Sequence, residues 1–180
     1  RAAVVGTGIM GMLFVQLLNQ MHAESYVLDI SDHRLNLARE FGATGVFNSG
    51  RVNSVEAIKQ ATGGQGVDVV FLTFLTQQIL DDAMDYTRDG GKLVVFAPPI
   101  HELDLKINYF DFFRREMHMV GSYSSVLEDI EVAMRWIDWF FTTEGGLRSR
   151  IGIEGKQWRW TKPEEKSVTG GKATWIQVAP

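Results

Sequence analysis

Short apolar runs alternate with segments of helical period along the first 140 residues. Runs such as Val67-Asp68-Val69-Val70-Phe71-Leu72 and Leu93-Val94-Val95-Phe96 are apolar almost without a break. Strands covered on both faces read this way in parallel sheets. Six segments predict strands: residues 2–5, 26–30, 45–47, 67–73, 92–97 and 117–122. The first intervening helix is expected to turn Met10, Leu13, Phe14, Leu17 and Met21 inward, a spacing that fits one helix face. A second runs from Ser31, a candidate N-cap, to Phe41, with Gly42 placed to end it. In a third, Asn53 and Glu56 stand as in a capping box and Gly63 follows the helix. A fourth covers about 77–86 and stops at Asp89-Gly90-Gly91, read as a turn. The last, about 127–141, carries Leu127, Ile130, Met134, Ile137 and Phe141 on one face.

Strict strand–helix alternation implies right-handed crossovers and an α/β fold with a doubly wound parallel sheet. From Thr142 the pattern lapses. Residues 151–166 have no clear period, and one more β-like run covers 173–178. The expected organisation is therefore a main domain over 1–141 and an irregular tail with a closing strand over 142–180. The opening Arg1-Ala2-Ala3-Val4-Val5 is already strand-like, so the chain is expected to be part of a longer one.

The glycines sharpen this picture. Val4-Val5-Gly6-Thr7-Gly8-Ile9-Met10-Gly11 is G-x-G-x-x-G, directly after a strand and before a helix. Gly6 suits the tight turn, Gly8 admits a pyrophosphate close to the backbone, and Gly11 lets helix and strand pack closely. The free N–H groups near Ile9 and Met10 then face the phosphates. In that context the six strands predict a Rossmann sheet of order 3-2-1-4-5-6. The other reading is a plain tight strand-to-helix connection.

Asp29 lies near the end of the second strand, 18 residues after Gly11. The motif places an acid about 20 residues on, where it accepts hydrogen bonds from the adenosine ribose. A carboxylate there accepts both ribose hydroxyls of NAD and repels the extra phosphate of NADP, which favours NAD. Ile30 and Ser31 occupy the place where NADP enzymes more often carry a base. Arg34 stands five residues on, as a candidate for the adenosine end or as a solvated helix residue. For Asp29 itself the plainer role is a capping or surface acid.

Charge and composition narrow the classes. The 180 residues carry a net charge of −4, with 45% hydrophobic and 22% charged residues, and the basic pair Arg114-Arg115 is offset at once by Glu116. No basic face suggests nucleic acid, and no apolar stretch reaches the roughly 18 residues of a membrane span. Cysteine is absent, which removes disulfides and thiolate zinc sites and fits a cytoplasmic protein. His22, His33, His101 and His118 show no metal-binding spacing, so no metal is expected in this chain. There is no G-x-S-x-G and no Tyr-x-x-x-Lys, against a serine hydrolase and a short-chain dehydrogenase.

Taken together, Gly6–Gly11, Val27-Leu28-Asp29 through Arg34-Leu35, and Ala38-Arg39-Glu40-Phe41-Gly42-Ala43 resemble the medium-chain dehydrogenase/reductase superfamily. Gly66-Val67-Asp68-Val69-Val70-Phe71, Gly90-Gly91-Lys92-Leu93-Val94, and Arg115-Glu116 followed by Val120-Gly121-Ser122-Tyr123 continue the same order. The similarity covers residues 2 to about 141 and is strongest to zinc-dependent alcohol, polyol and threonine dehydrogenases. It implies an NAD(H)-binding domain of an enzyme that passes hydride between an alcohol and NAD. It further implies backbone contacts to the nicotinamide around Ala97, Ser122 and Tyr123, and a cofactor contact at Thr73. In relatives the fourth strand often ends in an acid and x-x-Gly, where Leu72-Thr73-Phe74-Leu75 stands here. The catalytic zinc, the alcohol or polyol pocket and the sheet for the closing strand are expected on an absent half. The chain alone is therefore expected to bind NAD(H) without turning over alcohol, and to belong to a homo-oligomer.

Two other classes fit less well. A nucleotide-sensing regulatory Rossmann module shares the glycine turn and the acid but not the Arg115–Tyr123 block. A methyltransferase uses a similar turn, yet this helix start suits a pyrophosphate. Trp158-Arg159-Trp160 is read as an aromatic patch, Trp136 and Trp139 as core or domain-contact residues, and Phe110, Phe112 and Phe113 as packing on the sheet edge or a neighbouring subunit. Pro98-Pro99 and Ser124-Ser125 can equally be simple turns.

Overall fold

The computed structural model describes residues 1–96, 104–123, 127–142, 145, 158–160, 162 and 175–177. It divides into two compact units, Arg1–Tyr123 and Ser124–Pro180. The first is a six-stranded, all-parallel sheet of β1 (Ala2–Val5), β2 (Ser25–Asp29), β3 (Gly45–Asn48), β4 (Val67–Leu72), β5 (Thr87–Val95) and β6 (His118–Gly121). Their order is β3-β2-β1-β4-β5-β6, as expected. Between them run α1 (Ile9–Gln20), α2 (Asp32–Glu40), α3 (Ser54–Ala61), α4 (Gln77–Tyr86) and α5 (Tyr109–Arg114).

Period-2 alternation along β1 and β2 divides the apolar side chains between two cores. Ala2, Val4 and Val27 face Val15, Leu18, Leu35 and Ala38 of α1 and α2. Ala3, Val5, Tyr26 and Leu28 belong with Ile58 of α3 and Leu80 and Ala83 of α4. Helices therefore cover both faces of the sheet, and every strand up to β4 is followed by a crossover long enough to hold one. The chain reverses its winding between β1 and β4, opening a crevice at their carboxyl ends.

Several details depart from the sequence expectations. The inner face of α1 is Gly11, Val15 and Leu18. Of the residues expected there, Phe14 does pack inward, its ring 4.4 Å from that of Phe71, whereas Met10, Leu13, Leu17 and Met21 are exposed. The reason is Gly11, because a Cβ there would lie 1.9 Å from the Gly6 carbonyl oxygen. That approach presses the Gly11 side of the helix against β1 and turns the second apolar stripe outward.

The expected turn at Asp89-Gly90-Gly91 lies inside β5, which starts at Thr87 immediately after α4. Thr87 pairs with Val67 and Lys92 with Val69, so the intervening residues bulge, with Gly90 in the left-handed region at φ 71°. Arg115 braces the bulge, donating to the Met84 carbonyl at 2.9 Å, to the Thr87 carbonyl and to Asp89 Oδ1 at 2.8 Å. Helix α5 was not anticipated. Asn108 caps it by accepting from Asp111 N–H, and only Phe112 packs on the core while Phe110 and Phe113 are exposed.

In the second unit, α6 (Leu127–Phe140) agrees with the expected helix to within a residue. Leu127, Ile130, Met134 and Ile137, with Phe141 just beyond it, are exposed, as is Trp136, while Trp139 is half-buried. The late β-like run is realised as β8 (Trp175–Gln177), and it has a partner. It pairs antiparallel with β7 (Trp158–Trp160), which lies in the stretch read as patternless.

Candidate functional site

The glycine turn between β1 and α1 forms the rim of the crevice, and its three glycines answer to three different demands. Gly6 has φ 86°, and a Cβ there would stand 2.6 Å from Thr73 Oγ1, so both conformation and space require glycine. Gly11 is fixed by its contact with the Gly6 carbonyl, described above. Gly8 differs from both. Its φ of −65° suits any residue, and an added Cβ would meet nothing within 4 Å. Nothing among the described residues calls for glycine here; the missing side chain leaves open space in front of the helix start.

That helix start is also uncapped. Helices α3 and α4 have side-chain caps from Asn53 and Thr76, whereas α1 has no side-chain cap and no acid in its first turn. The N–H groups at Ile9 and Met10 stand at the positive end of the helix dipole, and no side chain among the described residues receives them. An anionic group with close backbone access fits this arrangement, as a pyrophosphate does.

Asp29 ends β2 beside the same turn and is 8% exposed. Its Oδ2 accepts from the Thr7 N–H at 2.7 Å and from the Thr7 hydroxyl at 2.5 Å, and its Oδ1 accepts from the Ser31 N–H at 2.8 Å. Arg34 Nη1 lies 4.0 Å from Oδ2. Burial works against the charge of Asp29, but the bonds from Thr7 and Ser31 and the charge of Arg34 outweigh it and hold the carboxyl below its ordinary range. Asp29 is thus an ionised acceptor at neutral pH. Ser31, the expected N-cap of α2, makes no side-chain cap bond; its N–H serves Asp29 instead.

A cleft of about 410 Å³ opens between these groups, lined by Gly6, Thr7, Gly8, Asp29, Ile30, Arg34, Ser49, Thr73, Phe74 and Ile79 among others. A second, of about 540 Å³, shares Thr7, Gly8 and Arg34 and extends past Ile9, Leu13, His33 and Leu37. Of the residues singled out from the sequence, Gly6, Gly8, Asp29, Arg34 and Thr73 therefore meet around one cleft, and Ile9 borders the next. Thr73 contributes in an unforeseen way, because its hydroxyl donates to the main-chain carbonyls of Val5 at 2.8 Å and Gly6 at 3.1 Å. It ties the end of β4 to the turn.

Met10 and Gly11 lie in the first turn of α1. Ser122 follows β6, its N–H donating to the Val95 carbonyl at 2.9 Å, and Tyr123 is exposed; neither lines these two clefts. Ala97, Pro98-Pro99 and Ser124-Ser125 lie outside the described residues. The residue that the sequence reading passed over is Thr7. It occupies a free position of the glycine pattern, and only its hydroxyl hinted at a contact. Ile30 and Phe74, exposed apolar side chains in a polar-rimmed cleft, are further additions; a flat ring system can pack there.

Among the described residues, no group of three or more His, Cys, Asp or Glu side chains converges as a metal site. No helix among them is long and apolar enough to cross a membrane.

A model of the zinc-binding dehydrogenase family matches residues 10–139. An L-threonine 3-dehydrogenase from Caldanaerobacter subterraneus subsp. tengcongensis is 32% identical over 155 residues, 86% of this chain and 42% of that protein. An alcohol dehydrogenase from Geobacillus stearothermophilus is 26% identical over 152 residues, 84% of this chain and 42% of that one. The crystal structure of an alcohol dehydrogenase zinc-binding domain protein from Burkholderia ambifaria superposes with a TM-score of 0.63 at 29% identity, covering 67% of this chain and 33% of that one. The chain spans less than half the length of these relatives.

Proposed function

Since the chain belongs to the zinc-binding dehydrogenase family, we propose that it is the NAD(H)-binding domain of an alcohol or polyol dehydrogenase. The observation that carries this reading is the ionised Asp29 at the mouth of the glycine-turn cleft, beside an uncapped helix start. In this reading the open space at Gly8 and the N–H groups of Ile9 and Met10 hold the pyrophosphate. Asp29 accepts from the adenosine ribose and disfavours a ribose phosphate by charge repulsion. Arg34 borders the same end, Ile30 and Phe74 flank the adenine, and Thr73 keeps the turn in place. The backbone around Ala97, Ser122 and Tyr123 is assigned to the nicotinamide end.

When bound, NAD supplies the hydride acceptor for oxidation of an alcohol. The protein's part here is to position it. Zinc and the alcohol pocket are assigned to a catalytic half beyond this chain, to which residues 142–180 would return. The chain alone then binds cofactor and oxidises no alcohol. A homo-oligomer and a cytoplasmic location go with this reading.

The test is a calorimetric titration of the chain with NADH and with NADPH, repeated on Asp29→Ala. Tighter binding of NADH, with the preference lost in the variant, supports the assignment. Binding of neither, or equal binding of both by the unaltered chain, removes it.

A further inference from the structure

The end of β4 bears on the glycine turn through one side chain. Thr73 is half-buried at the cleft, and its hydroxyl lies 2.8 Å from the Val5 carbonyl oxygen and 3.1 Å from that of Gly6. A hydroxyl carries a single proton, and sharing it between these carbonyls leaves none to donate to a ligand. Val5 also accepts the Thr73 N–H at 3.1 Å, so loss of the hydroxyl is felt chiefly at Gly6. The Gly6 carbonyl is in turn the stop for α1, because a Cβ at Gly11 would stand 1.9 Å from its oxygen. Any shift of that carbonyl passes by direct backbone contact into the first turn of α1, where Ile9 and Met10 lie.

We propose that Thr73 is a positioning residue whose hydroxyl sets the Gly6 carbonyl against which α1 abuts, and so sets where the helix-start N–H groups meet the pyrophosphate. The inference rests on the NAD(H) reading above and gives the hydroxyl proton to the turn rather than to the cofactor. The adenosine end does not depend on it. Asp29 is held by Thr7 and Ser31, and Phe74 follows a strand end whose N–H bond to Val5 survives without the hydroxyl. A binding constellation tolerates displacements of only about 0.5 Å. Loss of the hydroxyl therefore weakens the hold on the pyrophosphate and spares the adenosine.

The experiment compares the unaltered chain with Thr73→Ala, which removes the hydroxyl without adding bulk, and Thr73→Ser, which keeps it. NADH and ADP-ribose are titrated by calorimetry, and adenosine by NMR. Thr73→Ala should bind NADH and ADP-ribose about tenfold more weakly and adenosine as before, while Thr73→Ser should bind all three like the unaltered chain. Without ligand, the amide resonances of Ile9 and Met10 should shift in Thr73→Ala and return in Thr73→Ser. Unmoved resonances in Thr73→Ala, unchanged ADP-ribose binding, or adenosine weakened as much as ADP-ribose overturns the inference. Failure of the underlying NAD(H) reading looks different: the unaltered chain then binds neither NADH nor ADP-ribose, while the ligand-free resonances still respond to Thr73.

Discussion

Alanine at Gly8 and alanine at Gly11 should have opposite consequences, although both remove a glycine from the same turn. At Gly11 the new Cβ would lie 1.9 Å from the Gly6 carbonyl oxygen, against an ordinary carbon–oxygen contact of about 3.3 Å. The helix would have to retreat by about 1.4 Å, and the obstructing atom is backbone in a turn already held by Gly6 and Thr73. Overpacking of this kind costs about 1–3 kcal/mol. Because backbone yields little, the cost lies at the upper end or beyond; the better helix propensity of alanine returns about 1 kcal/mol. A net loss of about 2 kcal/mol or more corresponds to a fall in Tm of roughly 8 °C for a domain of this size.

At Gly8 the new methyl meets nothing and the backbone angles suit alanine, so stability should stay within about 1 kcal/mol of the unaltered chain. Its NADH affinity, however, should collapse, because the methyl occupies the approach to the helix start. Scanning calorimetry with and without NADH reads both quantities. A Gly8→Ala chain that binds NADH normally would refute the argument, as would one that loses as much stability as Gly11→Ala.

The carboxyl of Asp29 is held below its ordinary range in the fold, so its contribution to stability is present above the unfolded-state value and fades as pH falls through the folded one. Asp29→Asn should therefore lower the urea midpoint at about pH 7, and the gap to the unaltered chain should narrow as pH falls into the acid range; a gap that widens in acid would contradict this sign. Ser25 Oγ is buried with no hydrogen-bond partner among the described residues, so Ser25→Ala should leave stability unchanged or raise it by about 1 kcal/mol. A clear fall in its chemical-denaturation midpoint would show that the hydroxyl is satisfied after all. His22 sits just beyond α1 with φ 56°, and His22→Gly should stabilise by about 1 kcal/mol in the same assay; destabilisation would mean that the imidazole makes a contact outweighing the backbone strain.

What could be read from the chain followed the strength of its local signals. The sheet order and the main helices are legible because β1, β4 and the second half of β5 are near-continuous apolar runs and several helices start or stop on recognisable residues, as with Asn53 before α3 and Gly42 after α2. The inner face of α1 is not. Apolar residues encircle that helix, so period alone offers two stripes, and the choice is made by the Gly6–Gly11 approach in three dimensions. The bulge in β5 reads from the sequence as a terminating turn because Asp-Gly-Gly gives the same local signal in both places. At the site, Gly6, Gly8, Gly11 and Asp29 carried their spacing in the sequence. Thr7 carried none, since its role is a contact across 22 positions to a single carboxylate oxygen.

A crystal structure of the chain with NADH decides whether the cleft at the glycine turn receives NAD(H). The pyrophosphate should lie against the N–H groups of Ile9 and Met10 beside Gly8, with the adenosine ribose on the Asp29 carboxylate. NADH bound elsewhere on the chain, or seated at the turn with its ribose away from Asp29, would contradict the NAD(H) reading.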